Sequence, residues 1–188
     1  MNLFSPVTDL SNVGILIENC LEDNEDLVKK YFELPIVQET RGDGSVFGDA
    51  VFLWEEENDS LKSLFYNELH AIMLKASSIF VEKNNKTMDN YSKRQTYYKI
   101  VRWSPPQDRM NAHADGWEVD GKPMVPAITN LLYLTSDFEG GELHFPDHDI
   151  TFKPKAGDVV SFFSNTRHEV RPVFSGRRVT TQLFLFDK

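Results

Sequence analysis

Residues 97–188 of this 188-residue sequence predict a mainly β fold with supporting helices (α+β). The expected core is an antiparallel double sheet, a jelly roll or double-stranded β-helix, with N-terminal helices packed on its outside. Three observations point there. From Tyr97 onward, short apolar runs follow one another at close intervals, separated by Gly, Pro, Asn and Asp. Residues 60–83 repeat apolar side chains along one side of a helical period, as a helix laid on a sheet requires. No regular strand–helix alternation runs through the chain, which argues against a parallel α/β sheet. At this length one sizeable core is possible and two are not comfortable, so one domain is expected. Residues 1–96 would supply strands and supporting helices, and 97–188 the jelly-roll core.

Taken in order, Val13 to Glu18 is a short β-branched run and reads as a strand. Asn24 suits a helix cap, and Leu27, Val28, Tyr31 and Phe32 recur at one-face helical spacing until Pro35 stops the segment. Ile36 to Thr40 and Ala50 to Trp54 read as strands around the turn-rich Arg41-Gly42-Asp43-Gly44-Ser45. Asp59 is a plausible cap for the longest helix, residues 60–83. Its stripe is Leu61, Leu64, Phe65, Leu69, Ile72, Met73, Ala76, Ile79 and Phe80. His70 borders that stripe and reads as a boundary histidine. Lys83 to Lys86 breaks the pattern, and Met88 to Thr96 is polar and carries no clear period.

Composition narrows the function. A net charge of -9 disfavours a nucleic-acid partner, because neutralising a phosphate backbone needs clustered Lys and Arg. Cys20 is the single cysteine, so no intramolecular disulfide can form, and its place in an apolar run suits a buried structural thiol. No apolar run approaches about 18 residues and no basic segment followed by an apolar stretch opens the sequence. A cytoplasmic protein without a membrane partner is therefore expected. Oligomeric state is not legible.

The chemistry gathers between Asn111 and Arg178. His113-Ala114-Asp115 sets an imidazole and a carboxylate two residues apart, which on a strand sends both to one face. His168 must be brought to them by folding. Two histidines and one carboxylate that leave half a coordination sphere open are what a non-haem Fe(II) oxygenase requires. Around them stand Tyr133-Leu134 at the end of an apolar run, the turn Glu139-Gly140-Gly141-Glu142, and Gly157-Asp158 before Val159 to Phe163. His168-Glu169-Val170-Arg171-Pro172-Val173 and Gly176-Arg177-Arg178 follow.

With these motifs in this order, Tyr97 to Asp187 resembles the 2-oxoglutarate/Fe(II)-dependent oxygenases, specifically their prolyl 4-hydroxylase-like branch. The resemblance implies Fe(II) at His113, Asp115 and His168, with 2-oxoglutarate and dioxygen as cosubstrates and ascorbate as an optional reductant. Asp115 at the carboxylate position implies a hydroxylase, since related halogenases have a small residue there. Arg178, ten residues after His168, falls where the family binds the distal carboxylate of 2-oxoglutarate. A guanidinium can hold such a carboxylate bidentately. Thr180 shares its strand face and could donate to the same carboxylate. Arg177 points the other way unless a bulge exchanges the two. Tyr133 matches a tyrosine that often touches the cosubstrate, with a core aromatic as the alternative. Trp103 stands where many relatives have another pocket tyrosine. Asn111, Trp117 and Arg171 are candidate substrate contacts by nearness alone. His144 and His148 match no ligand position.

The leading expected substrate is a prolyl residue of a peptide or protein, with a free amino acid or small metabolite as the rival. A non-catalytic jelly-roll binding protein and a cupin-type metalloenzyme are the readings outside the class. The first sits poorly with a complete set of ligand types, and the second with a distant His168.

Overall fold

The structure, a computed structural model, describes residues 7–10, 13–18, 20–21, 37–38, 49–54, 60–93, 97–103, 105 and 108–188. Val7–Asp9 (β1), Gly14–Ile17 (β2), Val37–Gln38 (β3) and Asp49–Trp54 (β4) precede the helix Ser60–Lys83 (α1). Tyr91–Ser92 (β5) and Tyr97–Trp103 (β6) follow. Next come Met110–His113 (β7), Trp117–Val119 (β8), Lys122–Met124 (β9), Ile128–Tyr133 (β10), Phe138–Gly140 (β11) and Leu143–Phe145 (β12). Ile150–Phe152 (β13), Val159–Phe163 (β14), His168–Val170 (β15), Val173–Gly176 (β16) and Arg178–Asp187 (β17) complete the chain. The helix expected after Asn24, its stop at Pro35, the turn at 41–45 and the Asp59 cap lie outside the described residues.

The main sheet runs β1-β2-β14-β10-β17-β6-β4-β3, with β5 added to β17. A four-stranded sheet, β13-β12-β15-β7, faces it, and β11-β16 and β8-β9 form two ribbons. Pairing is antiparallel in every one of these ladders, so the expected double sheet is what forms.

Strand alternation gives the main sheet two distinct faces. One face carries Tyr98, Ile100, Leu132, Val159, Val179, Leu183 and Leu185, which pack with Phe65, Leu69, Met73, Ala76 and Phe80 of α1. These five belong to the stripe that the helix period predicts, and Ile72 and Ile79 pack partly buried against the same cluster; each large side chain fully buried contributes roughly 1.5–3 kcal/mol. It ends where the Asn84 amide donates to the Phe80 carbonyl (2.8 Å) and Asn85 turns left-handed at φ 55°. A 3-10 turn, Met88–Asn90, then leads into β5, structure that the polar sequence did not signal.

The opposite face builds a second core of Tyr133, Val160 and Phe162 against Phe138 of the β11-β16 ribbon and Leu143 and Phe145 of the smaller sheet. Val101 and Trp103 meet Val170 and Val173 in a third cluster. Gly14 lets β2 approach β14, because a Cβ there would stand 2.4 Å from the Ser161 carbonyl oxygen. Cys20 is buried as expected; its thiol donates to the Ile17 carbonyl, and burial pushes its pKa up to about 12. His70 is a boundary residue whose Nδ1 lies 2.8 Å from the Tyr98 hydroxyl.

Candidate active site

The pairing of β7 with β15 sets His168 directly opposite His113. Their ring centroids are 4.4 Å apart. Asp115 joins them from a bend just past the end of β7, so strand alternation alone does not place it. Its backbone N–H donates to the Ser164 carbonyl (2.9 Å), and that bond turns the carboxylate back toward the histidines. Asp115 Oδ1 lies 3.7 Å from His113 Nε2, and Oδ2 lies 3.8 Å from His168 Nε2. One donor atom from each residue falls within 4.8 Å of the others.

Both histidines are held in the tautomer that a metal needs. His113 Nδ1 donates to the Asn111 carbonyl (2.8 Å), and His168 Nδ1 to the Thr166 carbonyl (3.0 Å). A carbonyl can only accept, so in the neutral imidazole the unprotonated nitrogen is Nε2, facing Asp115. Burial depresses the pKa of His168 below the ordinary histidine value despite the pull of Asp115, which favours the neutral ligand form. Burial works against the Asp115 charge, yet His113, His168 and Thr129 together hold its carboxyl below the ordinary range. The donor set, two imidazoles and one carboxylate on one side of an open space, can hold a divalent ion of the Fe(II) type.

That space is a cavity of about 430 Å³ between the two sheets. Beyond the triad its wall is drawn from alternate residues of β17: Arg178, Thr180, Gln182, Phe184 and Phe186. Arg178 is only 1% exposed, and among the described residues no carboxylate pairs with it. Its Nη2 donates to the Tyr133 hydroxyl (2.7 Å) and its Nη1 to Thr180 Oγ1 (3.3 Å), while Nε has no hydrogen-bond partner among the described residues. Burial raises the pKa of Tyr133 against the influence of Arg178, so it remains a phenol. A buried guanidinium without an anion is costly. A carboxylate-bearing ligand such as 2-oxoglutarate fits the deficit.

Gly141 keeps this corner close-packed: it sits at φ 65°, and a Cβ there would come within 3.0 Å of Arg178 Cδ. The register of β17 against β10 and β6 is regular, so no bulge exchanges the two arginines, and Arg177 is exposed.

Trp103 and Trp117 both line the cavity. Trp103 is buried 5.7 Å from the Arg178 guanidinium, ring centroid to Cζ. Trp117 is 40% exposed at the mouth and packs on Phe184 and Phe186, at 5.2 and 6.0 Å between rings. Asn111 and Arg171 lie outside the lining and are exposed; Arg171 Nε is 3.9 Å from Glu169. His144 is tied by Nδ1 to Thr151 Oγ1 (2.7 Å) and the Ile150 carbonyl, and His148 is exposed in the 3-10 turn Pro146–His148, so neither joins the triad. Sequence reading missed Thr129, whose hydroxyl donates to Asp115 Oδ2 (2.6 Å). Its position four residues before Tyr133, on the same face of β10, was the available signal. The period-two run that brings Gln182, Phe184 and Phe186 to the cavity was equally visible.

Known proteins resemble this chain to different depths. Residues 98–186 match the model of the 2OG-Fe(II) oxygenase superfamily. Prolyl 3-hydroxylase 2 of Rattus norvegicus is 30% identical over 157 residues, covering 66% of this chain and 22% of that protein. The chain thus spans about a fifth of the length of this relative. A PKHD-type hydroxylase of Colwellia psychrerythraea is 44% identical over 55 residues, 27% of this chain and 25% of the relative. Among solved structures, the viral collagen prolyl hydroxylase of Paramecium Bursaria Chlorella virus-1, in its 2OG complex, superposes with a TM-score of 0.63 at 19% identity. That match covers 95% of this chain and 97% of the viral one. A Trichoplax adhaerens prolyl hydroxylase, solved with a hypoxia inducible factor peptide fragment, gives 0.68 at 17% identity over 94% of this chain and 84% of the other. At such identities the superpositions speak for the fold, and the sequence match speaks for the family. Residues 98–186, which carry all three triad residues and Arg178, are thus the part of the chain that matches the 2OG-Fe(II) oxygenase superfamily.

Proposed function

We infer that the protein is a 2-oxoglutarate- and Fe(II)-dependent dioxygenase that hydroxylates an unactivated C–H bond, with a prolyl residue of a peptide or protein as its substrate. Arg178 carries this reading: a fully buried cation, without an anionic partner among the described residues, shares one cavity with the His113–Asp115–His168 cluster. A molecule that bridges them needs a carboxylate at one end and metal-binding oxygens at the other. 2-Oxoglutarate has both.

His113, Asp115 and His168 would hold the ion through two Nε2 atoms and one carboxylate oxygen. Arg178 would take the distal carboxylate, Thr180 would orient the guanidinium, and the Tyr133 phenol would donate the proton that its bond from Arg178 leaves unused. When bound, Fe(II) with 2-oxoglutarate and dioxygen supplies the oxidation: 2-oxoglutarate yields succinate and carbon dioxide, one oxygen atom entering succinate and the other the substrate C–H bond. Val101, Trp103, Leu131 and Val170 keep the inner cavity apolar, which strengthens the Arg178–carboxylate attraction by excluding water. The outer wall of Trp117, Phe184 and Phe186 offers flat apolar surface to a pyrrolidine ring.

The relatives that carry the name prolyl hydroxylase support this substrate, and they include a 3-hydroxylase in sequence and a Pseudomonas putida 4-hydroxylase in structure. Succinate release and a 16 Da mass gain should appear together when proline-containing peptides are incubated with protein, Fe(II), 2-oxoglutarate and ascorbate in air. Fragmentation and product NMR then give the carbon hydroxylated. Turnover of free L-proline but of no peptide would move the substrate to a small metabolite. No succinate with any substrate, although iron binds, would remove the reading.

A further inference from the structure

We propose that Thr129 and Ser164 form a hydroxyl relay that positions Asp115 as a one-oxygen ligand, keeping the open half of the metal site open. The inference rests on the metal-site reading above and concerns how this chain's own residues prepare that site.

The direction of every proton in the relay is fixed. A ligand carboxylate offers acceptor oxygens, and the Thr129 hydroxyl donates to Asp115 Oδ2 at 2.6 Å. The one hydroxyl proton of Thr129 is thereby used, so Ser164 Oγ, 2.7 Å away, donates to Thr129. Thr129 is 1% exposed and Ser164 is fully buried. Water therefore does not compete, and a bond to an ionised acceptor in such surroundings is among the stronger ones. Backbone bonds anchor the same residues. The Ser164 carbonyl accepts from the Asp115 N–H (2.9 Å), and the Ser164 N–H donates to the Ala127 carbonyl (3.0 Å). Two residues on, the Thr166 carbonyl orients the His168 imidazole. The turn 164–168 thus fixes two of the three ligands from one short stretch of chain.

The consequence is geometric. A carboxylate can give a metal one oxygen or two, and a second oxygen would fill a position that cosubstrate and dioxygen need. Thr129 engages Oδ2 and leaves Oδ1, 3.7 Å from His113 Nε2, as the oxygen without a hydroxyl donor. Without the hydroxyl, Oδ2, which already lies 3.8 Å from His168 Nε2, is free to serve as a second ligand oxygen.

Co(II) binding to the metal-free protein tests this without turnover. Thr129→Val, which keeps the shape and removes the hydroxyl, should weaken Co(II) binding about tenfold and change the position and intensity of its d–d bands. Thr129→Ser should restore both. Ser164→Ala should shift affinity the same way by about threefold, since Thr129 keeps its bond to Asp115 but loses its orienting donor. A Thr129→Val protein that melts like the parent and binds Co(II) with unchanged affinity and bands overturns the proposal. If that variant does not fold, unchanged affinity and bands in Ser164→Ala overturn it. Absence of Co(II) and Fe(II) binding by the parent itself would instead sink the metal-site reading, and this proposal with it.

Discussion

Along β17, Val179, Leu183 and Leu185 face α1 and pack into the largest core, while Arg178, Thr180, Gln182, Phe184 and Phe186 face the cavity. The backbone is one and the same. What differs is what each side chain meets: on the helix side other apolar atoms, on the cavity side a buried cation, hydroxyls and an aromatic wall. Helix-side residues hold the fold together, whereas cavity-side residues include groups whose presence costs stability and serves a ligand. Parity along one strand therefore separates substitutions that harm folding from those that harm chemistry.

The largest effect expected on the cavity side is at the triad. Asp115→Ala should abolish Fe(II)-dependent turnover while the protein still melts cooperatively, because the site draws little on the apolar cores. Activity retained in that variant would remove Asp115 from the ligand set. Arg178→Met comes next. Loss of one charge-assisted pair should raise the 2-oxoglutarate requirement roughly tenfold to a hundredfold. Replacing a buried charge that has no anionic partner among the described residues by an apolar chain should leave the melting temperature unchanged or higher. Arg177→Ala should change neither, since that side chain is exposed. A large drop in melting temperature for Arg178→Met would show that the guanidinium braces the fold, and the contrast between the two faces would fail at its most important residue.

Leu183→Ala is the mirror experiment on the helix side. Leu183 is 1% exposed, and truncation there should cost about 2–5 kcal/mol in denaturant unfolding. Below the melting temperature the 2-oxoglutarate requirement of the folded fraction should stay that of the parent. A changed requirement would mean that packing against α1 is transmitted through the sheet to Arg178.

Much of this contrast was legible in the sequence because strand and helix periods are local. The α1 stripe and the Arg178/Thr180 pairing follow from counting residues, and the triad's residue types follow from ligand chemistry. Asp115 shows where counting stops. Two residues after His113 it should share a strand face with it, yet β7 has ended and a bond to Ser164, 49 positions away in sequence, sets its direction. Thr129 and Ser164 were missed for the same reason: a threonine in an apolar strand and a serine in a turn are unremarkable until the fold brings them to one carboxylate. Asn111 was favoured for nearness to the ligands, and its backbone carbonyl accepts from His113 Nδ1.

The smallest effect concerns Cys20, on the helix side, where the contrast predicts chemical silence. The thiol is buried among apolar groups and donates to the Ile17 carbonyl, and burial raises its pKa from 9.0 to about 12. Thiolate is the reactive form, so the native protein at pH 8 should react with a disulfide reagent far more slowly than the urea-unfolded chain. The linkage has a definite sign. The unfolded thiol loses its proton near pH 9.0 while the folded one retains it up to about 12. In that window the unfolded state binds fewer protons, so this group's contribution to stability is intact below pH 9 and declines as pH rises above it. Cys20→Ala should flatten the alkaline fall in melting temperature without touching the 2-oxoglutarate requirement. Rapid labelling of the native thiol at pH 8 would mean that the region under β2 opens readily, and that the helix-side core is less continuous than its packing implies.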